Sequence, residues 1–463
     1  MPQLMLPFRI NPCLVLLLCA LSSGVSRAQA PLPAVPDSTR AAQDAQRILQ
    51  QEQQRLKQER ERQEQQRPKS AIDPKSLSGE NRKVPELGAK CRDMTQIVVN
   101  GAKHLPLAAQ EKILANYVGK CLGVVEIEKL MSEITLWYVG QGFITTRVYL
   151  PSQDLSRGRL EILVLEGVLE KISVRDGGKN TVSVRNVFPG LNNKVLNLRD
   201  IEQGLDQINK LSSNDAKMQI EPGSQPGSSV LVVNNQAKRS FKVNTSFDNQ
   251  GSEGTGKRQL GVGFSVDSPL GMNDFFSFTH RQAQPAERDR RYSAADSVIY
   301  WLPYGYNTLS LNASHSRYVS SITTPTGREF AISGNADNVN LRLDRVVYRN
   351  QKTRLTLAAG VTTKDSKNYL VGELLAVSSR KLSVLDLDAN FTAAFAGGSL
   401  GLDLGYARGL RQFGALRDAD GLADDVARAQ FNKIKYGANF NRPFKLAEYE
   451  GGFSSQLSGQ RAG

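Results

Sequence analysis

Cysteine, histidine and tryptophan are scarce in this 463-residue chain, at four, three and two residues. His104, His280 and His315 stand far apart with no ligand spacing, and Cys91 and Cys121 would need two further donors to hold zinc. No resident metal is expected. No apolar run is long enough to cross a bilayer as a helix; the longest, Leu14 to Leu21, falls well short. A Gly-rich loop that could cradle phosphates is missing, which removes nucleotide from consideration. No nucleophile with a base and no paired carboxylates stand out, Asp424 and Asp425 reading as loop solvation, so the chain is expected to be no enzyme and to need no cofactor. The charge balance is basic, 59 Lys and Arg against 45 Asp and Glu. Those cations are dispersed and not interleaved with aromatics, which argues against nucleic acid.

What is present falls into blocks. Residues 1–30 read as a secretory signal: Arg9 is the positive start, Leu14 to Leu21 the apolar core and Ala28-Gln29-Ala30 a small-x-small cleavage site. Two of the four cysteines, Cys13 and Cys19, lie in that signal, which leaves Cys91 and Cys121 in an exported chain. There a disulfide is expected over two free thiols. Residues 31–67 contain a Gln-, Glu- and Arg-rich stretch of helix formers that makes no sustained apolar stripe. It reads as a solvated helix, and a helix polar all round also suits a water-filled cavity. Residues 68–90 turn to Pro, Ser and Gly and read as a linker.

From Cys91 the pattern is globular, in the order strand, helix, helix, strand, strand. The second helix, Ile127 to Gly140, repeats Ile127, Leu130, Met131, Ile134, Trp137 and Tyr138 at helical spacing. Strands follow at Ile144 to Leu150 and Arg159 to Glu166. A second, less regular unit begins at Leu169, and its helix, Leu198 to Asn209, is opened by Asn197 as N-cap. The two units take residues 91–168 and 169–235.

After about Phe241 the helix signal fades. Segments of about ten residues alternate apolar and polar, as where Leu400, Leu402, Leu404 and Tyr406 oppose Gly401, Asp403, Gly405 and Ala407. Short turns (Leu302 to Gly305) and long polar loops (Ala283 to Asp296, Gln412 to Gln430) fit a tilted antiparallel transmembrane barrel over residues 236–463, and a soluble sandwich is the weaker alternative. Tyr300, Trp301, Tyr304 and Tyr306 are placed as an interfacial girdle.

The run from Leu136 to Leu155 (LWYVGQGFITTRVYLPSQDL) closely resembles the first POTRA module of two-partner secretion transporters of the haemolysin-activator type. The motif residues are Gly142, Thr146, Arg147, Leu150, Pro151, Gln153, Asp154 and Leu155, continuing through Gly158 to Glu166 and Gly167. Cys91 and Cys121 fall where that group often carries a disulfide, and Phe247 to Gly251 and Ser268 to Asp274 resemble its first barrel hairpins. The resemblance implies a signal peptide, a helix seated in the barrel lumen, a linker, two α/β POTRA modules and an antiparallel outer-membrane barrel of about sixteen strands. It implies that the POTRA modules, in the periplasm, receive an unfolded exoprotein, a large adhesin or haemolysin, on their sheet edges, and that the barrel, set in outer-membrane lipid, secretes it. A barrel-assembly factor of the same superfamily is the alternative. Roughly eleven strands can be counted after Phe241, and the family's Val-Arg-Gly-aromatic loop motif does not occur. The chain is therefore expected to be truncated, with an incomplete barrel.

Overall fold

The computed structural model describes residues 91–463, apart from 324–325, 423–425, 447–448 and 463. The expected signal, helix and linker, residues 1–90, lie outside the described residues.

The first module runs β1 (Arg92–Met94), β2 (Gln96–Asn100), α1 (Leu107–Leu114), β3 (Lys120–Leu122), α2 (Val124–Gly140), β4 (Arg147–Tyr149) and β5 (Arg159–Leu165). Its main sheet has the order β2-β5-β4, with β2 and β5 parallel. The apolar face of α2 places Ile127, Leu130, Ile134 and Tyr138 against Leu160, Ile162 and Val164 of β5, and the three innermost helix side chains are fully buried. That stripe was visible as helical spacing; each such side chain contributes about 1.5–3 kcal/mol by burial. The helix begins earlier than its apolar stripe suggests because Glu126 reaches back to the Gly123 amide at 2.8 Å.

Cys91 and Cys121 are joined in a disulfide across a separation of 30 residues, with Cα atoms 5.2 Å apart. It staples the small β1–β3 pair, in which Asp93 stands opposite Cys121. Replacing both cysteines with alanine is expected to cost the first module about 3 kcal/mol through the loop freed in the unfolded chain. Denaturant unfolding followed at Trp137 reads this. Labelling of both thiols in denatured, unreduced protein would show instead that no bridge forms.

The second module runs β6 (Val168–Arg175), α3 (Val184–Val187), β7 (Lys194–Val195), α4 (Leu198–Asn209), β8 (Ala216–Pro222) and β9 (Ser228–Asn235), in the sheet order β7-β6-β9-β8. Helix α4 has the bounds read from the sequence, and Asn197 caps it by accepting the Arg199 amide at 2.9 Å.

The remaining strands are β10 (Phe241–Asp248), β11 (Gln259–Asp267), β12 (Phe275–Ala283), β13 (Tyr292–Tyr304), β14 (Asn307–Thr323), β15 (Glu329–Arg349), β16 (Thr353–Leu370), β17 (Glu373–Leu374), β18 (Arg380–Phe395), β19 (Gly398–Leu410), β20 (Asn432–Leu446) and β21 (Tyr449–Ala462). They form one antiparallel sheet of 12 strands, which runs from β10 to β21 with the two-residue β17 paired to the side of β16. Among the described residues, β10 and β21 each pair on one side.

Three expectations need correction. Strands β13 to β16 are 13 to 21 residues long rather than about ten, because polar residues take both faces above the apolar belt and hide the continuation. The supposed loop from Ala283 to Asp296 is correspondingly shorter, since β13 already begins at Tyr292. The girdle also splits. Trp301 is 4% exposed and stacks on Phe275 beside Leu211 of the second module. Adjacent strand residues point to opposite faces, so Tyr300 and Tyr304 look outward while Trp301 looks in. Tyr306 leaves the girdle altogether to bond Asp200 at 2.6 Å.

Candidate functional site

Gly142, Glu166 and Gly167 of the motif gather at the joint between the two modules, while Gln153, Asp154, Leu155 and Gly158 stay within the first. Gly142 follows α2 with φ +96°, and its carbonyl accepts the amide of Leu198, the first residue of α4, at 2.8 Å. A side chain there would meet Asn197 Oδ1 at 2.5 Å, so the position combines a left-handed backbone with no room. Gly167 is the second close approach: a Cβ would lie 2.6 Å from that of Thr145, and the Gly167 carbonyl accepts the Leu196 amide at 2.8 Å. Val139 and Ile144, on either side of Gly142, belong to the apolar core of the second module. The two modules are thus keyed together by a shared core.

Glu166 sits beside that joint, its side chain 6% exposed. It accepts the His104 amide and the His104 ring at 2.7 Å each and the Tyr138 hydroxyl at 2.8 Å. Burial, reinforced by this carboxylate, raises the pKa of Tyr138, which keeps it a donor. The clamp ties the segment after β2 to the end of β5.

Gln153 has a different task. Strand β4 covers Leu163 to Leu165 of β5, and the ladder then reaches Pro151, which has no N–H to give. The Gln153 side chain takes its place, donating to the Glu161 carbonyl and accepting the Glu161 amide at 2.7 Å each. Asp154 caps the turn Leu155–Arg157 by accepting the Ser156 hydroxyl at 2.7 Å and the Ser156 amide at 2.9 Å, and these hydrogen bonds hold its carboxyl below the usual range. Leu155 packs on the core, and Gly158 closes the turn, its carbonyl accepting the Thr95 and Gln96 amides. Arg147 donates to the carbonyls of Ile144 and Thr146, while the Thr146 hydroxyl is buried without a hydrogen-bond partner among the described residues. Leu150 stays exposed, and with Tyr149, Leu163 and Leu165 it leaves an apolar strip on the outer face of β4 and β5.

A second junction was missed from sequence. Strand β15 ends at Arg349, whose guanidinium reaches Asp206 at 2.6 Å, Gln203 at 3.1 Å and Glu202 at 3.5 Å, all on α4. Gln207 donates to the Gly305 carbonyl at 3.0 Å, in the turn between β13 and β14. Asp267 at the end of β11 accepts from the Ser213 amide at 2.7 Å. Asn273, in the run that resembled a first barrel hairpin, exchanges two hydrogen bonds with the backbone of Ser183. The second module is therefore bolted to one end of the wall.

The wall itself has two unlike faces. On the outer one, Leu341, Leu343, Leu357, Leu387, Leu402 and Leu404 are exposed. On the inner one, Arg342 pairs with Asp344 and Asp388, and Lys435 pairs with Asp386 at 3.1 Å. Among the described residues no helix is long and apolar enough to cross a membrane and no group of side chains could hold a metal ion.

The described residues form a two-faced antiparallel wall carried on two α/β modules. The chain belongs to the haemolysin secretion/activation protein family ShlB/FhaC/HecB, which its residues 227–463 match, while residues 93–167 match a ShlB-type POTRA domain and residues 168–222 a further POTRA domain. It is 35% identical over 361 residues to the outer membrane transporter CdiB of Dickeya dadantii (strain 3937), covering 77% of this chain and 63% of that one. It is 33% identical over 362 residues to the hemolysin transporter protein ShlB of Serratia marcescens, covering 78% and 63%. The chain thus spans less than two thirds of the length of these relatives. The structure of CdiB from Escherichia coli superposes with a TM-score of 0.81 at 30% identity, covering 94% of this chain and 78% of that one. The family is one of secretion proteins and not of enzymes.

Proposed function

We propose that the chain belongs to an outer-membrane transporter that takes up an unfolded exoprotein of haemolysin or adhesin type in the periplasm and passes it along a polar wall to the cell exterior. The observation that carries this reading is the wall with its apolar outer belt and charged inner face, bolted at one end to the POTRA modules. The outer belt suits lipid, and strands that pair all their backbone groups laterally are one of the two ways a chain can cross it. The names of the relatives, outer membrane transporters and a hemolysin transporter, support the same address. Among the described residues β2 and β8 pair on one side, so their outer edges offer backbone groups to an incoming extended segment, and the strip of Tyr149, Leu163 and Leu165 offers apolar contact beside it. The motif glycines, Gln153 and Glu166 act as positioning residues that fix these edges relative to the wall. Among the described residues the eleven strands of the path form one stretch of wall, and in this reading a conducting barrel takes further strands.

Deleting the gene in its native host is expected to abolish release of the exoprotein, with the cargo held in the periplasm and degraded there. Normal release after deletion would sink the proposal. Normal release together with failed insertion of other outer-membrane barrels would point to the assembly alternative.

A further inference from the structure

We propose that Tyr292, Arg288 and Arg317 form a phosphate site on the outward face of the wall, occupied by the headgroup of a phosphorylated glycolipid of the outer leaflet. This rests on the reading that the wall is set in a membrane.

Tyr292 opens β13 and is 4% exposed, yet its hydroxyl has no hydrogen-bond partner among the described residues. A buried hydroxyl without a partner costs free energy, which points to a group that completes it. Two guanidiniums flank the same ring: Arg288 and Arg317 each place Cζ 5.8 Å from its centroid. Neither arginine forms an ion pair with a carboxylate among the described residues, whereas Arg281, Arg342 and Arg349 in the same wall all do. Two guanidiniums without carboxylate partners among the described residues, packed on the ring that carries a buried hydroxyl donor, supply the donor types that a phosphate takes.

Height in the wall selects the source. Arg317 stands opposite Ala294 on β13 and Asn335 on β15, and Lys367 on β16 continues that row with a third cation. The next row toward the POTRA modules is His280, Asp296, His315 and Asp337, in which each histidine ring lies 2.7 Å from a carboxylate oxygen. Beyond it on the same face begin the exposed apolar residues Val339, Leu341, Leu311 and Leu309. The polar row therefore marks the upper limit of the belt, at the end of the strands away from α4. A phosphate carried just above the acyl chains meets Tyr292 and its arginines at that height, which favours lipid over an anion from solution.

The test uses the full chain in detergent micelles, with binding of hexa-acylated lipid A read by native mass spectrometry. The bisphosphorylated form is expected to bind about tenfold or more tightly than the dephosphorylated form. Arg288→Gln with Arg317→Gln is expected to remove that preference. Tyr292→Phe, which keeps the ring and its packing, is expected to lower it several-fold. Equal binding of the two lipid forms, or variants that bind as wild type does, overturns the proposal. So does inorganic phosphate binding as tightly as the lipid, which would make the site one for a free anion. Cell fractionation separates the two readings. Intact wild-type chain recovered in the soluble fraction overturns both, while membrane-bound chain with no phosphate preference overturns the lipid site alone.

Discussion

Expressed by itself, the polypeptide of residues 1–463 is expected to give no release of exoprotein and no stable conductance in a planar bilayer. The sheet leaves β10, of 8 residues, and β21, of 14 residues, paired on one side among the described residues. In hydrocarbon each unpaired backbone group costs several kcal/mol, about 4–8 against a solvent that offers no partner. A dozen such groups exceed the whole net stability of an ordinary domain, which is about 5–15 kcal/mol. An open wall in lipid therefore has to recruit further strands or be degraded. The same polypeptide in a form that resists heat denaturation in detergent, conducts ions and releases cargo would show that the eleven strands close unaided. Supplying the wall with additional strands of the family's full-length barrel should restore conductance.

The second large effect belongs to Arg349. Its side chain is 14% exposed and is held by Asp206 at 2.6 Å, with Glu202 also in reach. Arg349→Ala removes the cation that ties that acidic pair on α4 to the wall, and the loss is expected below the about 3–5 kcal/mol of a fully buried pair because Asp206 is 30% exposed. Arg199 stays on Glu202 at 2.8 Å, so the cost falls mainly on Asp206. The expected result is a second module that comes off the wall while both parts remain folded. Limited proteolysis between Asn235 and Phe241 should accelerate at least tenfold, the ratio that about 1.4 kcal/mol already produces. Asp206→Ala added to Arg349→Ala should cost less than the sum of the two single changes, since the two residues share one ion pair. Unchanged cleavage in Arg349→Ala would mean that the apolar contact of Leu211 with Ile299 and Trp301 is enough to hold the joint.

Helix α4 could be read to the residue because its cap, Asn197, and its apolar face are neighbours in sequence. The two POTRA cores were legible for the same reason, and so was the number of strands in the wall. Arg349 was not, because its partners lie 143 and 146 positions away and nothing local marks the pairing. The orientation of Trp301 depends on which residue opens the turn at Gly305. A shift of one position reverses every side chain in the strand, and an aromatic run on both faces gives no parity signal. The motif around Gly142 and Gln153 stood out as a block, but its part as a joint became visible from contacts with Asn197 and Glu161, one in the next module and one across a turn.

Unequal strand lengths have a consequence of their own. Strands β11 and β12 have 9 residues each, while β15 has 21. At about 3.3 Å per residue those are lengths of about 30 Å and about 70 Å. In the strand register β15 overhangs β12 at both ends, Phe275 lying in the row of Arg342 and Gln282 in the row of Asn335, so part of the difference leaves the outer rim lower along β10 to β12 and raised like a parapet along β14 to β16. Under the proposed function, a polypeptide that emerges over such a rim meets its low side first, so the lengths of a few strands would steer the direction in which it leaves.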